Sequence, residues 1–184
     1  MTSFNFDKKF INTGKLFSRV AQVFHVTAAW NQGSNPRSQR IWELFVPENA
    51  TRATVKALYE AYAGRDPDRV AALIHDDIEW IIYGPVQVFP FHGPRRGKAQ
   101  VLDALAAIGK DYLLERYVPE IIIVEDDRAA VVSDAAFKQR ATGRTLTMRL
   151  ANFLRFRDGL LVEFREFSDT FDVVEQALGK WIEV

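Results

Sequence analysis

The chain has 184 residues, a length that suits one domain or one domain with a tail. Hydrophobic residues make up 48% of it and charged residues 26%, which excludes a wholly disordered chain and allows a full hydrophobic core. The formal net charge is zero, and no apolar run reaches the roughly 18 residues that a membrane span needs, so no membrane-spanning helix is expected.

Cysteine is absent and there are three histidines, which excludes disulfides, thiolate metal sites and a cysteine nucleophile and argues against a zinc site. No metal and no cofactor are therefore expected. The lack of cysteine fits a reducing compartment and predicts a cytoplasmic location. Residues 51–184 carry eighteen Lys and Arg against twenty-one Asp and Glu, and this mildly acidic body argues against nucleic-acid binding.

Residues 1–48 differ from the rest of the chain. They show no strand alternation and contain the loop-like stretch NQGSNP at 31–36. We predict a poorly ordered N-terminal extension here, followed by one domain over residues 49–184. The alternative for residues 8–26 is a short basic amphipathic helix, which a transit peptide would also provide.

Two helices are predicted at the start of the domain. The first begins at Asn49 or Thr51, either of which can cap a helix, and ends at Gly64. Its apolar residues recur at helical spacing: Val55, Leu58, Tyr59 and Tyr62. Asp66 followed by Pro67 is a cap with proline at the first helical position, which predicts a second, short helix.

A strand over residues 78–83 and a helix over residues 98–108 follow, with a loop-rich passage between them. We expect Gly109 to end that helix. Three long strands come next, over residues 129–140, 145–157 and 160–168, after a first strand segment at 121–124.

The last two strands are joined by Asp158-Gly159, a two-residue hairpin turn, and a closing helix is predicted over residues 170–178. Helices and strands that are segregated in this way predict an α+β domain with an antiparallel sheet, not a Rossmann-type fold.

Counting outwards from the hairpin turn predicts which residues share a face of the sheet. Without a bulge, Asn152 lies opposite Arg165, and Asp169 lies opposite Met148. Ser133, Phe137 and Phe167 share their face. A few polar groups on an apolar surface are typical of a small-molecule pocket, although a satisfied buried polar cluster would have the same pattern. A bulge would reverse the assignment beyond it.

The opposite face carries Phe153 directly across from Phe164 in the same register. Two facing phenylalanines are seldom left exposed, which predicts a subunit interface and hence a homodimer. The alternative is an ordinary half-polar exposed sheet.

Four sequence stretches resemble the nuclear transport factor 2-like superfamily, in its SnoaL-like and ketosteroid-isomerase-like branch. They are YEAYAGRD at 59–66, HDDIEW at 75–80, GPRRG at 93–97 and NFLRFRDGLLVEFREFSDT at 152–170. The resemblance implies a cone-like α+β fold, in which a curved antiparallel sheet wraps three helices around an internal pocket. It also implies dimers formed through the outer sheet face.

The catalytic residues of the family are mostly missing. The ketosteroid isomerase base falls on Ile82 and the oxyanion-stabilising tyrosine on Leu58. The second oxyanion donor, a protonated aspartic acid in ketosteroid isomerase, falls on Asn152, an amide that can also donate. Epoxide hydrolases of the limonene type use an Asp–Arg–Asp set. One aspartate of that set matches Asp169, whereas the Arg and the other Asp fall on Ala135 and Phe137. Neither of these two activities is therefore expected.

The resemblance and the face assignment together predict a pocket for a small apolar or aromatic molecule that bears oxygen, such as a polyketide or a terpenoid. As an enzyme, the protein would isomerise or cyclise its substrate by cofactor-free proton transfer, with Asp169 as the proton shuttle and Asn152 as the oxyanion donor. The alternative is a non-catalytic ligand-binding or dimerising protein-interaction module. The expected substrate-binding residues are Trp80, Tyr62, Ile82, His92, Ser133, Phe137, Met148, Arg165 and Phe167.

Overall fold

The computed structural model describes residues 48–182, so nearly all of the predicted N-terminal extension lies outside the described residues. The two predicted helices are present as α1 (Glu48–Ala63) and α2 (Pro67–Ala72). Asp66 caps α2 as expected, because its side chain accepts a hydrogen bond of 2.9 Å from the backbone N–H of Arg69.

The next elements are β1 (Ile74–Ile82), β2 (Gly93–Arg96) and α3 (Lys98–Asp111). β1 begins earlier than predicted, directly after α2. The short polar strand β2 was not predicted, since its sequence GPRR carries no strand pattern. α3 continues through Gly109, where the prediction ended it, because a single glycine inside a helix is tolerated at a cost of about 1 kcal/mol.

The second half of the domain is a meander followed by a helix. The elements are β3 (Tyr112–Glu125), β4 (Arg128–Gln139), β5 (Thr145–Arg157), β6 (Leu160–Ser168) and α4 (Thr170–Leu178). The hairpin strands β5 and β6 and the helix α4 have the predicted bounds, whereas β3 begins well before the predicted residue 121.

The six strands form one curved sheet that does not close on itself, in the order β2-β1-β6-β5-β4-β3. All neighbouring pairs are antiparallel except β1 and β6, which are parallel, so the sheet is mixed at this one pair. α1 packs against β3 and β4, α3 against β1 and β3, and α4 against β5. The expected α+β fold is therefore confirmed, with four helices in the described range.

The hairpin between β5 and β6 contains a bulge that changes the predicted register. Asp158 (φ 53°) and Gly159 (φ 76°) form the turn with both backbones in the left-handed region, as a type I′ turn requires. Phe156 pairs with Leu161 as predicted, but Arg155 pairs with Glu163. Val162 is therefore an extra residue in β6, and every side chain after it points to the opposite face from the one predicted.

The core lies between the helices and the inner face of the sheet. Its largest fully buried side chains include Phe156, Ile74, Ile78, Leu146 and Leu161. Within residues 48–182, no helix is long and apolar enough to cross a membrane.

Candidate functional site

A cavity opens between α1, α3, the β1–β2 loop and the inner face of the sheet. The space that the centre of a water molecule can occupy inside it is about 90 Å³, and its mouth opens to solvent. Most of the lining is apolar or aromatic, and it includes Leu58, Val70, Leu105, Ile108, Phe89, Phe91, Tyr112, Leu146, Leu150, Phe164 and Val173.

Among residues 48–182, one acidic side chain lines the cavity: Glu166 on β6. The bulge at Val162 places it there, because Glu166 pairs with Asn152 of β5, whose side chain is fully buried. Glu166 was not predicted as a site residue: the unbulged register assigns it to the outer face.

Hydrogen bonds connect Glu166, directly or through Asn152, to three other side chains. The Asn152 Nδ2 group donates to Glu166 Oε2 at 2.9 Å. The Asn152 Oδ1 atom accepts from the Tyr59 hydroxyl at 2.7 Å and from the Tyr117 hydroxyl at 3.4 Å. The amide of Asn152 thus joins α1, β3 and β6 behind the cavity wall.

Burial raises the pKa of Glu166 to about 7, against an ordinary value of 4.5, because the charged carboxylate loses its hydration in the apolar cavity. The hydrogen bond from Asn152 acts in the opposite direction and limits the rise. A carboxyl group with a pKa near neutrality can both accept and return a proton at the pH of a cell.

One oxygen of this carboxyl group is available to a ligand. Oε2 accepts from Asn152, whereas Oε1 has no hydrogen-bond partner within residues 48–182, and the residue lines the cavity. The carboxyl therefore presents a single free proton-accepting atom.

Tyr62 lies one turn along α1 from Tyr59. Its hydroxyl is a hydrogen-bond donor of the type that stabilises an oxyanion. Tyr62 lines the cavity, its ring packs edge-on against Tyr117 at 5.0 Å, and its hydroxyl makes no hydrogen bond to residues 48–182. Burial and the nearby Glu166 carboxylate raise the pKa of Tyr62, so it stays a neutral donor.

His92 on the β1–β2 loop is buried and lines the cavity. Burial lowers its pKa to about 4, so the imidazole is neutral around pH 7. The ring fits because residue 84 is glycine: a Cβ at Gly84 would lie 2.1 Å from Nδ1 of His92. Its neighbours Phe89 and Phe91 lie 4.8 and 5.1 Å away between ring centres.

Six of the predicted substrate-binding residues line the cavity: Tyr62, Trp80, Ile82, His92, Phe137 and Met148. Trp80 stacks on Phe164 with ring centres 3.6 Å apart, which forms part of the wall. Ser133 is fully buried in β4 and does not reach the cavity. Asn152 contacts Glu166 but lies behind the wall, so the predicted role as an oxyanion donor is not the one its contacts indicate.

The predicted positions of Arg165, Phe167 and Asp169 are corrected by the bulge. Arg165 is exposed on the outer face, where its guanidinium donates to Glu163 at 2.5 Å. Phe167 also lies outside and stacks on Tyr83 at 4.4 Å. Asp169 is exposed beyond the end of β6 and caps α4, since its carboxylate accepts from the backbone N–H of Asp172 at 3.2 Å.

The bulge also changes the face assigned to Phe164, from the outer to the inner face of the sheet. It was expected on the outer face beside Phe153 but is buried in the cavity wall, whereas Phe153 remains 52% exposed. The same one-residue shift explains both corrections.

The residues that sequence reasoning missed are Glu166, Tyr59 and Tyr117. A signal for the bulge exists in the sequence: Leu160, Leu161 and Val162 are three consecutive apolar residues, which breaks the alternation of a half-buried strand. The contact between Tyr117 and Asn152 has no comparable signal in the sequence, because it depends on how the sheet curves from β3 to β5.

The sequence profile of the SnoaL-like domain matches residues 55–164, which is most of the described range. The chain belongs to the SnoaL-like domain family. No curated protein sequence matches this SnoaL-like protein.

Solved structures agree with the family. A Rhodopseudomonas palustris protein provisionally assigned as an isomerase is 37% identical, with a TM-score of 0.64 over 71% of this chain and 97% of that one. A nuclear transport factor 2-like protein from Burkholderia xenovorans is 25% identical, with a TM-score of 0.62 over 70% and 96%.

An M. tuberculosis epoxide hydrolase of the limonene type shares the fold at 18% identity, with a TM-score of 0.58 over 72% of this SnoaL-like chain and 93% of that one. In the part of this chain that the structure describes, no cluster of three or more His, Asp or Glu side chains is arranged to hold a metal ion.

Proposed function

We propose that this SnoaL-like protein is an enzyme that moves a proton on an apolar, oxygen-bearing small molecule without a cofactor, as in an isomerisation or a ring closure. The observation that carries the proposal is the free Oε1 atom of Glu166, a carboxyl with a pKa of about 7 inside an apolar cavity. A base of this kind matches the operating pH of a general acid–base catalyst.

The proposed reaction needs two groups of the protein. Glu166 removes a proton from a carbon that lies between a carbonyl group and a C=C double bond of the substrate. The electron pair of that C–H bond forms a new C=C bond, and the π pair of the carbonyl group moves to its oxygen. The Tyr62 hydroxyl donates a hydrogen bond to this oxygen as negative charge develops on it. The protonated Glu166 then gives the proton to the far carbon of the original double bond while the carbonyl group re-forms, so the protein ends the cycle unchanged.

The lining of the cavity supports a neutral ligand. No Lys or Arg among residues 48–182 lines it, and His92 is uncharged near pH 7. An anionic ligand would meet the Glu166 carboxylate with no cation to offset the repulsion. Rings and alkyl chains would instead pack against the aromatic walls.

The comparisons support proton transfer more than hydrolysis. The R. palustris relative, at 37% identity, carries a provisional assignment as an isomerase. The epoxide hydrolase likeness at 18% identity concerns the fold alone. The family resemblance also implies that Ala135 and Phe137 stand where the activating Arg and Asp of that chemistry would be. We therefore do not propose epoxide hydrolysis.

The alternative is a pocket that binds its ligand without turning it over. It is favoured by the position of Asn152, whose amide contacts Glu166 and two tyrosines instead of lining the cavity. Without Asn152, the donors left on cavity-lining residues include the Tyr62 hydroxyl and the indole N–H of Trp80, which has no hydrogen-bond partner within residues 48–182.

An exchange experiment tests the proposal and does not require the product to be identified. Apolar ketones, polyketides and terpenoids are first screened by thermal shift, since a ligand that binds only the folded state raises the melting temperature. Each hit is then incubated with the protein in D₂O, and the uptake of deuterium at carbon is followed by NMR. We expect uptake with the wild type and its loss in Glu166→Gln.

Glu163→Gln is the matched control. Glu163 lies on the same strand but on the outer face, where it binds Arg155 and Arg165. Its loss should leave the exchange rate unchanged. Binding of hits with no exchange in the wild type would support the non-catalytic alternative, and full exchange in Glu166→Gln would exclude Glu166 as the base.

We also propose that the protein is a homodimer through its outer sheet face. The supporting feature is an aromatic cluster of exposed Phe153 and Phe167 with half-buried Tyr83, in which Phe167 stacks on Tyr83 and meets Phe153 edge-on at 5.9 Å. Ile121 and Ile123 on β3 extend the apolar surface and are 52% and 62% exposed. A face of this kind is typically covered in solution.

A further inference from the structure

The side chain that holds Glu166 is itself held by a tyrosine. The Tyr59 hydroxyl, on α1, donates to the Asn152 Oδ1 atom at 2.7 Å, and the Asn152 Nδ2 group donates to Glu166 Oε2 at 2.9 Å. Tyr59 is 5% exposed and Asn152 is fully buried, so water does not compete for these bonds. The contact between Asn152 and Glu166 therefore depends on Tyr59, which does not itself contact Glu166.

A carboxamide has two orientations of nearly the same shape, and packing alone does not choose between them. In the observed one, the amide hydrogens of Asn152 face the Glu166 carboxylate. A half-turn would put the Oδ1 atom against that carboxylate, where two acceptors repel each other. It would also leave the buried hydroxyl hydrogen of Tyr59 without an acceptor, since that hydroxyl has no other partner within residues 48–182.

We propose that Tyr59 is a positioning residue that locks the Asn152 amide in the orientation that donates to Glu166 Oε2, leaving Oε1 as the single proton-accepting atom. The inference rests on the proposed role of Glu166 as the base. Tyr117 contacts the same Oδ1 atom at 3.4 Å, a longer and weaker bond, and is a secondary support.

The surroundings of Glu166 allow this effect to be measured. The other titratable side chains that line the cavity are Tyr59, Tyr62, His92, Tyr112 and Tyr117. Burial raises the pKa of each of these tyrosines and lowers that of His92 to about 4. Glu166 is therefore the cavity group that changes charge between pH 5.5 and 8.5.

The test is the titration of Glu166 in the ligand-free protein, followed by ¹³C NMR of glutamate labelled at the carboxyl carbon. In Tyr59→Phe the amide of Asn152 is free to turn away from Glu166. This weakens the Asn152–Glu166 hydrogen bond, which favours the ionised carboxylate, so the midpoint should rise by about one pH unit. Tyr112→Phe is the control: it removes a hydroxyl from the same cavity, and neither Asn152 nor Glu166 is among the groups that shift the pKa of Tyr112, so its midpoint should equal that of the wild type.

A double-mutant cycle separates positioning from a general effect on packing. Asn152→Leu should also raise the midpoint, and adding Tyr59→Phe to it should raise the midpoint no further, because Tyr59 acts through the amide. Equal midpoints in wild type and Tyr59→Phe would overturn the inference, as would fully additive shifts in the double variant. Since no substrate is present, these outcomes do not depend on turnover, whereas the proposed function fails if the wild type shows no exchange or if Glu166→Gln retains it.

Discussion

Replacing Glu166 with glutamine should make the protein more stable at alkaline pH, although it removes the proposed base. Glutamine keeps the shape of the side chain and an oxygen that can accept from Asn152, but it has no charge to bury. The pKa of Glu166 rises from 4.5 in an unfolded chain to about 7 in the folded protein. A difference of about 2.5 pH units corresponds to about 3 kcal/mol in the free energy of unfolding, an upper figure because the side chain is only partly buried.

The sign follows from which state binds the proton more tightly. The folded protein holds the Glu166 proton more strongly than the unfolded chain, so this group favours folding most below pH 4.5. Its contribution is lost as the pH rises through 7, where the folded protein must bury a charge. The variant does not titrate here. Its stability relative to the wild type should therefore increase between pH 4.5 and 7 and level off above that.

Urea unfolding of both proteins at intervals from pH 4.5 to 8.5 measures this difference, because all other titrating groups cancel between them. Glu163→Gln provides a control of opposite sign. Its neighbours Arg165 and Arg155 lower the pKa of Glu163, so its loss should destabilise the protein near neutral pH, by less than about 1 kcal/mol. A stability difference between wild type and Glu166→Gln that does not change across this range would refute the burial of a titrating carboxyl.

Three further predictions use other parts of the structure. Tyr62→Phe should lower the deuterium exchange rate by about 10²-fold with little change in ligand binding, as measured by exchange kinetics and thermal shift. Gly84→Ala should cost about 1–3 kcal/mol in urea unfolding, because the new Cβ lies 2.1 Å from His92 Nδ1, whereas Gly109→Ala, with nothing within 4 Å, should stabilise α3 by about 0.5–1 kcal/mol. Phe153→Asp should convert the proposed dimer to a monomer in sedimentation velocity, and a wild-type monomer would contradict the interface.

Local sequence signals predicted most of the elements, because each depends on neighbouring residues. Asp66 and Pro67 start α2 through a side-chain cap, and Asp158-Gly159 forms a turn whose φ angles suit few other residue pairs. β2 was missed because its pairing with β1 is set by tertiary contacts and not by its own four residues. The early start of β3 was missed for a related reason: residues 112–120 mix charged and aromatic side chains along an edge strand.

The site was predicted less completely than the fold, since a pocket depends on register as well as on elements. Residues before the bulge, such as Met148 and Phe137, lie where the alternation places them. Beyond it, Arg165 and Glu166 exchange faces. Alternation assigns faces reliably only as long as each strand residue has one partner, and Val162 has none.

The bulge also decides what chemistry the cavity can do. In the unbulged register a guanidinium, which does not lose its proton at any physiological pH, would face Asn152. With Val162 inserted, a carboxyl group faces it instead, and the apolar walls raise the pKa of that group to about 7. The same shift puts Arg165 beside Glu163 on the outer face, where both charges are paired and partly hydrated. One extra residue therefore removes a permanent cation from the cavity and supplies the titrating group that proton transfer requires.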